Sequence, residues 1–410
     1  MKVLHMCTGW PLSYQGGITN YVRQLAFTQF ENGVDVCVLG AKDTVEYPFR
    51  YFSFKSKIIP FSYTPLKDKL SLKWLDDFFK KEKFDLIHIH ALEYVDWDLF
   101  EVIKDHKYIV SLHDYCFICP RVTMFTYKGE VCCKYDEKKC SLCISYLERI
   151  KIIRRCFEKL NNIFGIALKI PHVKQNITKE RYKRFITLLN NADYILPVSK
   201  KVEEIYKRSG VLAQSKVLHI GNISADSFNE QYTYDSSPHI IKIVFLGRLT
   251  KDKGAELFLK IAHKMKSNKN IEFHFMGNAG AYSNKILNAG IINHGKYNQS
   301  QLNELLSKYD MGMVLSIWED NGPQVVMELL NNHVPVIGTK MGGIPDFVDD
   351  SNGFVFDPYD EKEQEKLYLF LNELTIQKIK ILKNNIKRTI TPHQHYMQLM
   401  KVYNEVLNTL

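Results

Sequence analysis

The feature that most constrains this chain is an alternation of short, β-rich apolar runs with amphipathic helical stretches, and the alternation occurs twice. A strand followed by a helix and then another apolar strand predicts parallel pairing, with helices covering both faces of the sheet. In the first series, strands are expected at residues 3–6, 34–39, 86–89, 109–112 and 194–197, with helices beginning near Ile18, Leu72 and Lys200. The second series restarts at residues 241–246 and continues through 271–276, 312–315 and 334–337. The expected fold class is therefore α/β, with two doubly wound, Rossmann-like domains facing each other across a cleft. The expected division is a first domain over 1–225, a linker over 226–240 rich in Ser, Asp and Pro, and a second domain over 241–390. A last helix within 391–410 would pack back on the first domain.

Composition narrows the class. No window of the 410 residues reaches the roughly 18 uninterrupted apolar residues that span a bilayer, and the first ten residues form a strand-like run rather than a secretory leader, so a cytoplasmic protein is expected. The formal net charge of +10 is concentrated: residues 146–185 hold eleven Lys and Arg against three Glu. A local basic segment is not the distributed charge of a nucleic-acid-binding chain. Of nine cysteines, six fall between Cys116 and Cys143, a local cluster rather than a disulfide scaffold.

Three segments carry candidate chemistry. Gly16 and Gly17 follow the first strand and precede a helix, where bare N–H groups and the helix N-terminus can approach a phosphate. Arg248 and Lys253 lie at the carboxyl end of the second domain's first strand, as a planar fork and a point charge able to hold a diphosphate. The loop from Ser316 to Pro323 then leads into a helix holding Glu328, with Asp320 before the helix N-terminus. One carboxylate could accept bonds from sugar hydroxyls and the other from ribose hydroxyls, while the loop N–H groups around Asn321 and Gly322 face the diphosphate. The two-glycine turn lacks the Gly-x-Gly-x-x-Gly spacing of a nicotinamide or flavin site.

Taken in order, the motifs resemble those of glycosyltransferase family 4, a retaining family of GT-B fold. The matching residues are Gly16-Gly17-Ile18, His113-Asp114, Val198-Ser199, Ile220-Gly221-Asn222, Gly247-Arg248-Leu249 with Lys253-Gly254, Gly295, Ser316, an acid-x7-Glu pair ending at Glu328, Pro335-Val336-Ile337 and Gly342-Gly343-Ile344-Pro345. The resemblance implies that Arg248 and Lys253 hold the diphosphate, Glu328 binds ribose, Gly17 lies against phosphate, Asp320 meets the transferred sugar and His113 is the active-site histidine. It implies an acceptor side in the first domain, a nucleotide-sugar donor side in the second, and no cofactor for catalysis. It also implies a glycan or lipid-linked acceptor, with UDP as the expected nucleotide, in surface polysaccharide, lipopolysaccharide or capsule assembly. The chain departs from the family where Glu is usual, with Asp320 at the first position of the pair, Glu319 one residue off register, and Asp346 after Gly-Gly-Ile-Pro.

Two features lie outside this pattern. Cys116-x2-Cys119 and Cys140-x2-Cys143 have the spacing of a four-thiolate structural zinc site, with Cys132 and Cys133 between them as further candidates. Similarity to a subset of the related transferases favours Cys119, Cys132, Cys140 and Cys143. The basic segment begins with apolar residues at helical spacing that leave Arg149, Lys151, Arg155 and Lys159 off the stripe, as in a helix lying on an anionic inner-membrane surface. Two other readings follow from the same residues. A GT-B epimerase or phosphorylase would use the same donor site, whereas a zinc-containing nucleic-acid-binding protein would leave Arg248, Lys253 and Glu328 without a role.

Overall fold

The computed structural model describes residues 1–7, 17–40, 45–54, 69–92, 98–126, 128–144 and 175–408. The chain divides into two compact units, each built on one six-stranded parallel sheet. The first sheet comprises β1 (Lys2–Cys7), β2 (Asp35–Gly40), β3 (Arg50–Ser53), β4 (Leu86–Ala91), β5 (Tyr108–Leu112) and β6 (Tyr194–Pro197), in the order β3-β2-β1-β4-β5-β6. Its helices are α1 (Gly17–Glu31), α2 (Lys69–Glu82), α3 (Leu99–Ile103), α4 (Glu137–Cys143), α5 (Gln175–Asn190) and α6 (Lys200–Arg208). The second sheet comprises β7 (Ile241–Arg248), β8 (Ile271–Asn278), β9 (Ile292–Asn293), β10 (Met311–Val314), β11 (Val336–Thr339) and β12 (Gly353–Phe356), in the order β12-β11-β10-β7-β8-β9. Helices α7 (Ala255–Lys264), α8 (Ser283–Asn288), α9 (Leu302–Leu306), α10 (Gln324–Asn331), α11 (Glu361–Asn372) and α12 (Ile376–Asn384) belong to this unit, and α13 (Pro392–Asn408) closes the described chain.

Both sheets have the same topology. The strand order reverses between β1 and β4 in one and between β7 and β10 in the other, and at such a switch point the two following loops diverge and open a crevice at the carboxyl ends. The strands are apolar because both faces are covered: every residue of β4 is buried, and β7 sends Ile243, Val244, Phe245 and Leu246 into the second unit's interior. Phe245, Phe258 and Phe275 form one aromatic cluster between β7, β8 and α7. Helix starts follow ordinary capping chemistry, with Asp360 and Thr375 accepting first-turn N–H groups of α11 and α12.

The sequence expectation missed β3, β9 and β12. β3 is partly exposed and offers no buried run, β9 is two exposed residues, and β12 begins at a glycine. The boundary also differs. The units divide between Leu218 and His219, with Ser199–Lys201 belonging to the second unit and α13 from Tyr396 onward to the first. The segment expected as a linker is instead packed on the second unit. The Tyr234 hydroxyl donates to Asp310 Oδ1 at 2.5 Å, and His239 Nε2 lies 3.1 Å from the same oxygen. Tyr232 stacks on His333 with ring centroids 4.1 Å apart. Serines and a proline gave this stretch the composition of a linker, while its tyrosines supply the contacts.

Candidate functional site

At the switch point of the second sheet, β7 ends in Gly247 and Arg248, and β10 runs into the loop from Leu315 to Pro323. The turn after β7 brings Lys253 to that loop. Its ammonium donates to Asp320 Oδ2 at 2.6 Å, Ser316 Oγ donates to the same oxygen at 2.7 Å, and Lys253 Nζ sits 5.3 Å from the centre of the Trp318 ring. This approach is possible because Gly254 follows Lys253. Gly254 has φ +83°, and a Cβ there would stand 1.9 Å from the Leu315 carbonyl oxygen. Gly342 is equally constrained from the other side. A Cβ on it would lie 1.9 Å from the Asp320 carbonyl oxygen, and its N–H donates to Glu319 Oε2 at 2.7 Å. Glu319, the acid one residue off register, thus secures the loop, and Asp320 is the carboxylate held beside the cation.

The other expected donor-side residues surround this centre at different positions. Arg248 is exposed at the end of β7, with no ion pair among the described residues. Asn321 is buried, Gly322 is half-buried, and α10 begins immediately after Pro323. Glu328 lies one turn into α10 and is half-buried. Burial raises its carboxyl above the usual range, opposed by the 2.8 Å bond it accepts from Gln299 Nε2. Among the described residues, three buried side-chain atoms around the loop have no partner: Trp318 Nε1, Asn321 Oδ1 and Gln324 Nε2. Two donors and an acceptor left unpaired away from water are costly unless a polar ligand meets them. Trp318 and Gln324 were not singled out from sequence, because unpaired atoms are visible only in three dimensions. Asp346, the other departure from the family pattern, accepts a 2.9 Å bond from the Lys200 N–H.

In the first unit, Gly17 opens α1 and is exposed, while Gly16 lies outside the described residues. His113 follows β5 and is 7% exposed. Its Nε2 is 3.1 Å from His90 Nδ1, and the Tyr21 ring lies 4.9 Å from its own. Asp114 turns back to accept the Cys116 N–H at 2.8 Å, while its carbonyl accepts the Tyr206 hydroxyl at 2.7 Å. His5, His88 and His90 are buried neighbours of this position that sequence reasoning passed over. The signal was present as alternation: His88 and His90 on β4, then Ser111 and His113 on and after β5, put polar groups on one face of buried strands.

Cys119, Cys132, Cys140 and Cys143 line one cavity beside α4. Burial pushes the Cys132 thiol up to about 11 and the Cys140 thiol up to about 12, and Cys119, Cys132 and Cys143 each act electrostatically on Cys140. Cys116 and Cys133 do not line the cavity, Cys116 being buried and Cys133 exposed. Among the described residues, the group whose ligand atoms lie within 4.8 Å of one another is His5, His88 and His90, and no three thiols reach that spacing. The basic segment is described only from residue 175. There, Arg184 pairs with Asp98 at 2.6 Å, Lys179 with Glu137 at 3.4 Å, and Phe185, Leu188 and Leu189 are buried. This portion turns Phe185 inward, and Arg149, Lys151, Arg155 and Lys159 lie outside the described residues. No helix among the described residues is long and apolar enough to cross a membrane.

Two parallel α/β units in tandem, of identical strand order, are the GT-B architecture. A sucrose-phosphate synthase from Thermosynechococcus elongatus superposes with a TM-score of 0.64 at 15% identity, covering all of both chains. HepE of Anabaena, in complex with UDP, gives 0.63 at 13% identity over 99% of this chain and all of its own. The model for Glycosyltransferase Family 4 matches residues 15–222, and that for Glycosyl transferases group 1 matches residues 236–388. The chain belongs to glycosyltransferase family 4. A Bacillus subtilis protein named as a teichuronic acid biosynthesis glycosyltransferase is 31% identical over 182 residues, a match spanning 42% of this chain and 45% of that relative's length.

Proposed function

We propose that this chain transfers a sugar, with retention, from a uridine-diphosphate donor to a hydroxyl of a glycan or lipid-linked acceptor in surface polysaccharide or lipopolysaccharide synthesis. The observation that carries this reading is the loop at the β7/β10 switch point. Buried Asp320 is held there against Lys253, next to the unpartnered polar atoms of Trp318, Asn321 and Gln324. Such a set suits a ligand that presents both anionic oxygens and many hydroxyls. Lys253 and Arg248 would take the diphosphate, Asp320 a hydroxyl of the transferred sugar and Glu328 the ribose, as the family pattern implies. When the glycosidic bond to phosphate breaks, negative charge builds on the leaving diphosphate, and Lys253, held by the loop, and Arg248 would stabilise it. His113 would serve as the active-site histidine of the first unit. The UDP assignment draws on HepE, which binds that nucleotide, and the pathway on the teichuronic acid relative.

Calorimetric titration with UDP, GDP and their sugar conjugates tests the donor site. One nucleotide is expected to bind, with affinity weakened at least about tenfold in both Arg248→Ala and Glu328→Ala. Binding of neither nucleotide to the parent protein would overturn the assignment.

We also propose that Cys119, Cys132, Cys140 and Cys143 hold one structural zinc ion. Their convergence on a single cavity, with Cys116 and Cys133 outside it, supports that set over the alternates. Ligation would deprotonate the thiols and draw them together, and four thiolates would leave no open position for chemistry.

A further inference from the structure

Behind His113, the first unit contains a line of buried polar side chains crossing from β5 to β4, β1, α1 and α13. We propose that this line is one directional chain of hydrogen bonds that fixes the tautomer of His113, making His90, His5 and Gln29 positioning residues for the transfer. The proposal rests on the reading of His113 given above.

The direction follows from groups that can only donate or only accept. Gln29 Nε2 can only donate, and it lies 3.2 Å from the Tyr403 hydroxyl. The hydroxyl's single proton then goes to His88 Nδ1 at 2.6 Å, so His88 carries its proton on Nε2 and donates to Ser111 Oγ at 2.7 Å. On its other side, Gln29 Oε1 can only accept, and it receives His5 Nε2–H at 2.7 Å. His5 Nδ1 is then bare and accepts His90 Nε2–H at 2.9 Å, which leaves His90 Nδ1 bare to accept His113 Nε2–H at 3.1 Å. His113 is thereby held with its proton on Nε2 and with Nδ1 as a hydrogen-bond acceptor.

The surroundings support neutral imidazoles at His5 and His90. His5, His88 and His90 are at most 1% exposed, and the residues packed around them include Tyr21, Gln29 and Tyr403. Burial pulls the His5 imidazole down to about 4. A second proton on His5 or His90 would place two N–H groups nose to nose. The close grouping of His5, His88 and His90 is also one a metal ion could use. Every ring nitrogen of the three already faces a protein partner of matching polarity, so a bound ion would have to break several of these bonds.

The test is imidazole nitrogen–proton correlation spectroscopy on the full chain, labelled at histidine, beside steady-state kinetics. The parent protein is expected to show His113 as the single Nε2–H tautomer. Gln29→Met removes the acceptor that orients the line, and is expected to give mixed His113 tautomers and a kcat at least about tenfold lower with donor KM little changed. Gln29→Glu, which still accepts from His5, is expected to restore the tautomer and most of kcat. If Gln29→Met does not fold, His90→Phe, which can neither donate nor accept, interrupts the line one step from His113 and carries the same expectation for the tautomer. An Nδ1–H tautomer in the parent, or an unchanged tautomer in the interrupted variants, would overturn the proposal, as would a metal ion bound by the parent and lost in His90→Phe. A tautomer that shifts while kcat stays constant would uphold the line and sink the active-site role of His113 instead.

Discussion

At the scale of single residues, the donor-side loop depends on glycines that allow backbones to touch. Gly254 is the sharper case, because it combines a left-handed backbone with a carbonyl oxygen where its side chain would be. Gly254→Ala should cost about 3 kcal/mol or more in stability, since the β7 turn or the Leu315 strand end must move. It should also weaken donor binding by displacing Lys253. Gly290→Ala has a similar positive φ with nothing within 4 Å, so it should cost only about 1 kcal/mol. Urea denaturation of the two variants separates the effects, and equal losses would show that the close approach to Leu315 carries no weight. Much of this was legible in sequence. Lys253 and Asp320, which the family pattern singles out in sequence, are brought into contact by the fold. The use of Glu319 to secure Gly342 was not legible, since two adjacent acids look alike until their partners are known.

At the scale of elements, legibility followed burial. The central strands β1, β4, β5, β7, β8, β10 and β11 are nearly continuous apolar runs and were all expected, while the edge or short strands β3, β9 and β12 were not. The stretch between β5 and α5 is a different case. Among its described residues the regular structure is the short helix α4 and one bridge between Phe125 and Val131, so a metal staple would contribute much of its stability. Elemental analysis should find about one zinc per chain. Cys140→Ser should abolish it and lower the melting temperature, whereas Cys133→Ser should change neither. A zinc-free parent protein, or equal effects of both substitutions, would rule out the four-thiolate site. The six clustered cysteines gave the candidates in sequence, and the fold separates the four that share a cavity from the two that do not.

At the scale of the whole molecule, each unit carries a histidine buried in its neutral form, and this makes acid stability a property of both. His5 belongs to the first unit and His395 to the second, and burial holds each imidazole down to about 4. In the unfolded chain both would take up a proton near pH 6.5, the ordinary histidine value, whereas the folded chain resists until about pH 4. Between those values the unfolded state binds more protons, so stability is complete above pH 6.5 and is lost as the pH falls through the window. Each group can contribute up to about 3 kcal/mol, an order-of-magnitude figure for a fully buried imidazole. Glu328 works the other way, because its raised carboxyl takes up a proton more readily when folded, but it is one half-buried group against two buried ones. Urea midpoints should therefore be level from weakly alkaline to neutral pH and fall steeply towards pH about 4. His395→Gln should flatten that fall while lowering the neutral-pH midpoint, since the bond to the His219 carbonyl weakens. A midpoint that stays level down to pH about 4 would mean that these imidazoles are protonated without cost, and that the polar lines holding them are open to water.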